Sequence, residues 1–258
     1  MSVKQLLDLT GRVAVITGGS RGLGLQIAGA LGEMGAIVAL TARKQDELDK
    51  AVAHLSSQNV EASGWACDVG KPEQIPDVVD AIVARYGRID ILVNNAGATW
   101  GAPAEDHPLD AWNKLLAINM TGAFVMSQQV ARKAMIPAGY GRIIVTASVA
   151  GLLGNDARVF NTVAYNASKH GVIGLTRQLA AEWGAHGITA NAICPGVFPS
   201  KMTTGLIEAS GAALIAGTPT GRLGGEDDLK GLAVLLASDA SRHITGQAIA
   251  VDGGAGMI

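Results

Sequence analysis

The sequence predicts an α/β fold: a single domain over residues 1–258, with a seven-stranded parallel sheet and helices on both faces. Two observations lead to this fold class. Short, continuously apolar runs alternate with longer segments of helical periodicity, and a glycine-rich turn follows the first apolar run. With 258 residues, 48% of them hydrophobic, and no linker or repeat, the chain is long enough to bury one sizeable core.

Seven apolar runs are predicted to be strands. Because they are continuously apolar rather than alternating, each strand is expected to be buried on both faces, as in a parallel sheet. The predicted strands are 13–17, 36–41, 63–69, 89–95, 141–148, 189–196 and 248–254, and helical spacing covers 24–35, 44–57, 72–87 and 109–135. Residues 197–225, rich in Gly, Ser, Thr and Pro, interrupt the alternation and are the expected substrate loop.

Composition and charge exclude several classes of partner. The net charge of −2, without a dense run of lysine or arginine, argues against nucleic acid and anionic membrane surfaces. No apolar run reaches the length of a membrane span, and no signal peptide is recognisable, so we expect an untargeted protein. Cys67 and Cys194 have neither metal-type nor disulfide-framework spacing, which predicts a reduced, cytoplasmic setting and no metal site.

A glycine-rich turn, TGGSRGLG over residues 17–24, joins the first predicted strand to the first long helix. Between a strand and a helix, the backbone N–H groups of such a turn bind the phosphates of a nucleotide. Gly18, Gly22 and Gly24 follow a G-x-x-x-G-x-G spacing rather than the commoner G-x-G-x-x-G. Glycine could also serve a tight turn alone, but this context favours a doubly wound Rossmann fold with a dinucleotide cofactor.

The residues after the second predicted strand indicate which dinucleotide is bound. A site for NAD places a carboxylate there to bind the ribose 2′-hydroxyl, whereas a site for NADP lacks that carboxylate and offers arginine. Arg43 and Lys44 occupy this position, and Arg21 lies inside the glycine turn. Any one of the three could be a solvated surface charge. Two arginines that converge from separate loops predict NADP(H) as the cofactor.

Tyr165 and Lys169 stand four residues apart in AYNASKHG, a segment with the pattern of a packed helix. Side chains at i and i+4 are neighbours on a helix, so the Tyr165 hydroxyl experiences the charge of Lys169. A nearby cation favours the phenolate and is expected to lower the pKa of the phenol. Taken alone, this spacing usually indicates an ordinary exposed helix pair.

Together, these motifs resemble the short-chain dehydrogenase/reductase family. In order they are TGGSRGLG, NNAG at 94–97, Ser148 at a strand end, YNASK at 165–169 and PG at 195–196, and they cover nearly the entire chain. The resemblance implies an oxidoreductase that transfers hydride between NADP(H) and a carbonyl or secondary alcohol. Family members commonly form homotetramers through the helix that carries YNASK, and the small residues on this helix, together with a charged fraction of only 16%, fit a homo-oligomer.

The resemblance also implies catalytic roles for four residues. Tyr165 is the expected general acid in reduction and general base in oxidation, assisted by Lys169. Ser148 is expected to donate a hydrogen bond to the substrate oxygen, and Asn119 matches the position that holds a water in the proton relay. Outside such a site, Asn119 could merely bend its helix and Ser148 could merely cap a turn.

A further set of residues is implied to bind the cofactor. Asp68 resembles the acid that contacts the adenine ring, although a turn former is the alternative. Pro195 and Gly196 match positions beside the nicotinamide. The full expected set is Gly18, Ser20, Arg21, Gly22, Leu23, Gly24, Arg43, Asp68, Val69, Asn95, Ala96, Gly97, Tyr165, Lys169, Pro195 and Gly196.

The substrate is less closely defined. The stretch between Ser148 and Tyr165 exceeds the common family spacing by about residues 155–162, a loop that is therefore expected to border the substrate. NNAGATWGAPAE and PGVFPSKMT resemble reductases of 3-oxoacyl thioesters, bound to acyl carrier protein or CoA, but also gluconate 5-dehydrogenases. Lys201 and Arg158 could bind a phosphopantetheine phosphate or a sugar carboxylate, or be solvated. A 3-oxoacyl reductase is the first hypothesis, a sugar-acid dehydrogenase the second, and a non-catalytic cofactor-binding protein a distant third.

Overall fold

The fold is a single parallel sheet of seven strands, as the sequence predicts. The computed structural model describes residues 1–156 and 159–257, so the predicted ligand Arg158 lies outside the described residues. The sheet order is β3-β2-β1-β4-β5-β6-β7, and every neighbouring pair is parallel. The strands are β1 (Val13–Thr17), β2 (Ile37–Ala42), β3 (Ala62–Ala66), β4 (Ile91–Asn94), β5 (Gly141–Thr146), β6 (Ile188–Pro195) and β7 (Ala248–Val251).

Helices cover both faces of this sheet. They are α1 (Val3–Leu7), α2 (Gly22–Glu33), α3 (Gln45–Ser57), α4 (Ile75–Tyr86), α5 (Leu109–Leu116), α6 (Gly122–Val130), α7 (Ile136–Ala138), α8 (Val163–Trp183), α9 (Thr204–Ala216) and α10 (Lys230–Ala237). One apolar core contains buried residues of α4, α6 and α8, and the other contains those of α2, α3 and α10. Along β1, Val15 faces the first core while Ala14 and Ile16 face the second, so the strand is buried on both sides.

The predicted helix over 109–135 is interrupted rather than continuous. Two π-helical segments, Ala117–Thr121 and Ala131–Met135, separate α5, α6 and α7. Apolar spacing over this range is compatible with an unbroken helix, and for that reason the sequence does not reveal the wider turns. Such π-helical turns occur frequently at functional sites, and the first of these contains Asn119.

The expected substrate loop, 197–225, contains a helix. No residue of α9, all of which the structure describes, is buried, although the helix spans 13 residues. Just beyond it, Arg222 Nη2 donates to Asp228 Oδ1 at 2.8 Å, and Asp228 Oδ2 accepts the Gly225 N–H. The Arg222 guanidinium lowers the pKa of Asp228 to about 2. The segment is therefore held at its C-terminal end, while α9 packs loosely.

A cluster of charges at the amino edge of the sheet is structural. The guanidinium groups of Arg12 and Arg142 lie 4.0 and 4.3 Å from the centroid of the Tyr140 ring. The Tyr140 hydroxyl donates to Asp239, which also accepts from Arg142 at 2.9 Å. These cation–π and ionic contacts join the segments that lead into the strands, at the edge opposite to the cleft described below.

Candidate active site

A cleft of about 830 Å³ lies at the carboxyl edge of the sheet. In an open parallel sheet, ligands bind outside the carboxyl ends of the strands, where the strand order reverses. Here the reversal falls between β1 and β4. The cleft is lined by Gly18, Ser20, Arg21, Gly22, Leu23, Arg43, Asp68, Val69, Asn95, Ala96, Gly97, Ser148, Tyr165, Lys169, Pro195 and Gly196. Of the predicted site residues, only Gly24 and Asn119 lie behind the lining.

The glycine turn is held against the segment after β4. Thr17 Oγ1 accepts the N–H groups of both Asn95 and Ala96 at 3.0 Å, and Asn95 Nδ2 donates to the carbonyls of Thr17 and Gly18. Gly18 has a φ of +64°, and a Cβ there would lie 2.9 Å from Ala96 Cα. A Cβ at Gly24 would lie 2.5 Å from the Gly18 carbonyl oxygen. Both positions therefore require glycine.

The N-terminus of α2 opens onto this turn. Arg21 occupies the N-cap position, and no side chain in the described part of the protein caps the first N–H groups of the helix. Uncapped N–H groups and the helix dipole together favour an anion. The turn therefore fits the phosphates of a dinucleotide.

The three predicted cations lie together at one end of the cleft. Arg21, Arg43 and Lys44 are all exposed and all line it. Arg43 has no ion-pair partner within the described residues. Arg21 instead pairs with Glu47, a carboxylate in the first turn of α3 that sequence reasoning did not include.

Asp68 lines the cleft just beyond β3. Its Oδ1 accepts the Gly70 N–H at 3.0 Å, so the carboxylate also fixes a turn. Its own N–H donates to Gln74 Oε1. Its geometry shows the turn-forming interpretation of Asp68, and contact with the adenine ring stays a prediction.

Asn119 connects two walls of the cleft from behind. Its Oδ1 accepts the Ala98 N–H at 2.8 Å, and its Nδ2 donates to the Ala98 carbonyl at 2.9 Å and to Ser168 Oγ at 2.9 Å. The side chain is 3% exposed. Asn119 thus fixes the segment after β4 against the helix that carries Tyr165 and Lys169.

Tyr165 and Lys169 share one face of α8, as their spacing predicts. Lys169 Nζ lies 5.5 Å from the centroid of the Tyr165 ring, and it donates to the Thr146 carbonyl at 2.7 Å. Lys169 is buried, which is uncommon for lysine. Ser148 begins a short turn, and its Oγ accepts the Ala150 N–H. A hydrogen bond with the Ser148 side chain also acts to lower the pKa of the Tyr165 phenol. An ordinary exposed helix pair is therefore excluded.

One electrostatic expectation is wrong for the protein without its cofactor. Burial raises the pKa of Tyr165, and the Ser148 hydroxyl has the smaller, opposite effect. The same burial lowers the pKa of Lys169 to about 8, an effect that the nearby Cys194 thiol partly offsets. Burial is the larger cause of both pKa shifts, so the phenol is neutral here rather than activated.

The loop over 155–162 does not line the cleft with any of its described residues. It is tied to α8, because Asn155 Nδ2 and Thr162 Oγ1 both donate to Asn166 Oδ1, at 3.1 and 2.8 Å. The Ala102 N–H donates to the Asn161 carbonyl, which joins the loop to the segment that follows Thr99. The expected contact with substrate is therefore indirect, through a neighbouring segment that does line the cleft.

Further lining residues were missed by sequence reasoning. They are Ala42, Glu47, Cys67, Ala98, Thr99, Ile118, Thr146, Ala147, Phe198, Ser200, Met202 and Thr203, with Lys201 among them as anticipated. Ala98, Thr99 and the residues after β6 lie in the family-like stretches NNAGATWGAPAE and PGVFPSKMT, whereas Glu47 on α3 and Ile118 in the π-helical turn have no signal in the sequence.

The fold and the arrangement of these site residues are those of a known enzyme class. The chain matches the short chain dehydrogenase family over residues 12–210. The protein belongs to this family and is an oxidoreductase that acts on CH–OH groups. Among the helices that the structure describes, none has the length and apolar character needed to cross a membrane.

Similar proteins act on several kinds of substrate. D-threitol dehydrogenase of Mycolicibacterium smegmatis is 40% identical over 255 residues, which are 98% of this chain and 96% of that protein. Gluconate 5-dehydrogenase of Gluconobacter oxydans is 39% identical over 98% of both chains. A 3-oxoacyl-acyl-carrier-protein reductase of Escherichia coli is 35% identical over 98% of this chain and 100% of that protein.

The structure of a gluconate 5-dehydrogenase from Burkholderia cenocepacia, in complex with NADP and tartrate, superposes with a TM-score of 0.94. It is 36% identical, and the match covers 100% of both chains.

Proposed function

We propose that the protein transfers hydride between NADP(H) and a secondary alcohol or its carbonyl. The observation that supports this most directly is one shared cleft, which is lined by Tyr165, Lys169 and Ser148 and also by the glycine turn with Arg21 and by Arg43 after β2. A bound nicotinamide would supply or accept the hydride, and its oxidised form would add positive charge beside Tyr165. The chain's own residues would hold the reactants and move the proton.

The cleft fits a phosphorylated dinucleotide in three respects. The turn after β1 requires glycine where its backbone approaches Ala96, the N-terminus of α2 is uncapped, and Arg43 is available to a further anion. The related gluconate 5-dehydrogenase was crystallised with NADP. Gly18 and Gly22 would accommodate the pyrophosphate, Arg21 and Arg43 the 2′-phosphate, and Lys169 the ribose beside the nicotinamide.

Replacing Arg43 by alanine is expected to weaken NADP(H) binding by at least one charge-assisted hydrogen bond, roughly 1.5–3 kcal/mol, and to leave NAD(H) binding nearly unchanged. Titrations of both cofactors by isothermal calorimetry measure this difference. Lys50→Ala, at an exposed position further along α3, is the matched charge control. Equal affinities of the wild type for the two cofactors, or a preference for NAD(H), would defeat the assignment.

We propose distinct parts for the chain's own residues in the reaction. The neutral Tyr165 hydroxyl donates a proton to the carbonyl oxygen in reduction and recovers it in oxidation. Ser148 donates a hydrogen bond to the same oxygen, where charge develops. Asn119, whose amide bonds to Ala98 and Ser168, holds the segment after β4 in a fixed position against α8.

For the substrate, we propose a polyol or sugar acid. The cleft near Tyr165 continues into polar side chains after β6, with Ser200, Lys201 and Thr203 in its lining. An exposed lysine and hydroxyl groups suit a hydroxylated substrate that carries a carboxylate. The relatives named for D-threitol and gluconate have higher identity than the relative named for a 3-oxoacyl thioester. That thioester remains the second candidate, because Phe198 and Met202 line the same region.

A substrate screen separates these candidates. Threitol and gluconate are assayed with NADP⁺, and acetoacetyl-CoA with NADPH, under the same conditions. We expect oxidation of at least one hydroxylated substrate with a kcat/KM well above that for the thioester. Efficient reduction of acetoacetyl-CoA without oxidation of either other substrate would contradict the proposal and support the 3-oxoacyl reductase.

We also propose that the protein forms a homotetramer. Met120 and Phe124 are large apolar residues that are 38% and 41% exposed. They belong to the helical segments next to α8, where the Met120 sulfur would lie 2.8 Å from a Cβ at Gly171. Light scattering at micromolar concentration tests this, and a monomer would contradict it. A cytoplasmic location remains a prediction from sequence.

A further inference from the structure

One carboxylate at the arginine end of the cleft does not belong to the cofactor motif. Arg21 Nη1 donates to Glu47 Oε1 and Oε2, both at 3.1 Å, and Lys44 Nζ lies 3.5 Å from Glu47 Oε1. All three side chains line the cleft. The Glu47 side chain is 26% exposed and that of Arg21 is 50% exposed, so the carboxylate is the more enclosed member of the pair.

This pairing leaves the cations unequally available. Arg43 is without an ion pair in the described residues, whereas Arg21 directs its Nη1 at Glu47. A guanidinium binds a phosphate through the same N–H groups that it uses for a carboxylate. A phosphate at Arg21 therefore competes with Glu47 for these donors, and the two anions repel each other at short range.

We propose that Glu47 limits the protein's preference for NADP(H) over NAD(H). It does so as an internal counter-ion of Arg21 that a 2′-phosphate must displace. The inference rests on the proposed function. The repulsion acts only on the phosphorylated cofactor, because a 2′-hydroxyl carries no charge and can donate a hydrogen bond to a carboxylate. Glu47 thus offsets part of the attraction of Arg21 and Arg43 for the 2′-phosphate, and the protein can still use NAD(H) as a cofactor.

A contribution of Glu47 to stability does not account for its position. An exposed ion pair contributes little to folding, and an acid in the first turn of α3 would stabilise that helix without facing the cleft. Asp46, the preceding residue, is such an acid: it is exposed, lies in the same turn and does not line the cleft. It therefore provides a matched control for both net charge and the helix dipole.

The test is calorimetric titration with 2′,5′-ADP and 5′-AMP, which differ only in the 2′-phosphate. The wild type, Glu47→Gln and Asp46→Asn are compared. We expect Glu47→Gln to bind 2′,5′-ADP about three- to tenfold more tightly than the wild type, as the removal of one nearby like charge implies. Its affinity for 5′-AMP should be unchanged or slightly lower. Asp46→Asn should match the wild type within about twofold for both ligands, since its charge lies outside the cleft.

Two results would overturn the inference, and they are distinguishable from failure of the proposed function. Unchanged or weaker binding of 2′,5′-ADP by Glu47→Gln would show that Glu47 does not oppose the phosphate. An equal gain in affinity for 2′,5′-ADP in Asp46→Asn would show that the effect comes from the net charge of the protein rather than from the position of Glu47. If the wild type binds 2′,5′-ADP no more tightly than 5′-AMP, the NADP(H) assignment itself fails, and the inference fails with it.

Discussion

Replacing Tyr165 by phenylalanine is expected to lower turnover by about 10²–10⁴-fold, the loss typical of a removed general acid. The substitution removes the transferable proton and keeps the ring, so NADPH binding should be almost intact. Steady-state kinetics and a cofactor titration measure the two effects separately. Tyr86→Phe is the matched control, because its hydroxyl hydrogen-bonds to Ser63 and neither residue is among those that line the cleft in the described part of the chain.

A small effect at Tyr165 would be decisive. If Tyr165→Phe retains near-native turnover, the proton comes from another group, and the pair on α8 has no part in the chemistry. If turnover and NADPH affinity fall together, the hydroxyl also contributes to cofactor binding, and the loss of turnover does not measure proton transfer alone.

Replacing Lys169 by methionine is expected to lower both turnover and cofactor affinity, each by at least tenfold. The ammonium lies beside the Tyr165 ring and, by our proposal, binds the ribose next to the nicotinamide, so its loss removes one charged hydrogen bond of about 1.5–3 kcal/mol. Calorimetry with NADP⁺ and steady-state kinetics measure the two losses. An unchanged cofactor affinity would contradict the proposed contact.

The same variant should be more stable than the wild type at neutral pH. Burial lowers the pKa of Lys169 to about 8, so the charged form is disfavoured in the folded state. The unfolded chain, whose lysine titrates near 10.4, therefore binds more protons between these values, and wild-type stability should rise with pH from about 8.

Lys169→Met lacks this contribution. Its advantage should be about 1–3 kcal/mol at pH 7 and should shrink as the pH rises above about 8. Taking the difference between the two proteins removes the shared ionisations of the cysteines and tyrosines. Urea unfolding at a series of pH values measures it, and a pH-independent difference would show that the charge on Lys169 carries no cost in the folded protein.

Much of the fold and site could be predicted because the relevant signals are local. The strand β1 and the turn after it are contiguous in sequence, and the glycines at 18 and 24 occur where the backbone has no room for a Cβ. Tyr165 and Lys169 meet because helical geometry alone brings i and i+4 together. The carboxyl ends of parallel strands then collect these motifs at one edge of the sheet.

The features that were missed depend on tertiary structure. Arg21 and Glu47 are 26 residues apart, and only the packing of α3 beside the glycine turn brings them into contact. The raised pKa of Tyr165 follows from burial, which the sequence of α8 does not reveal. Similarly, the π-helical turn at Asn119 lies in a run whose apolar spacing fits an ordinary helix.

The pH dependence of kcat/KM for alcohol oxidation, at saturating NADP⁺, tests most directly whether Tyr165 is the proton carrier and Lys169 sets its ionisation. In the wild type the rate should rise with pH through one ionisation. In Lys169→Met that ionisation should move to higher pH, because the cation that favours the phenolate is gone, and in Tyr165→Phe it should disappear from the residual activity. If kcat/KM of the wild type and of both variants rises through an ionisation at the same pH, the assignment of the proton transfer to Tyr165 and Lys169 is contradicted.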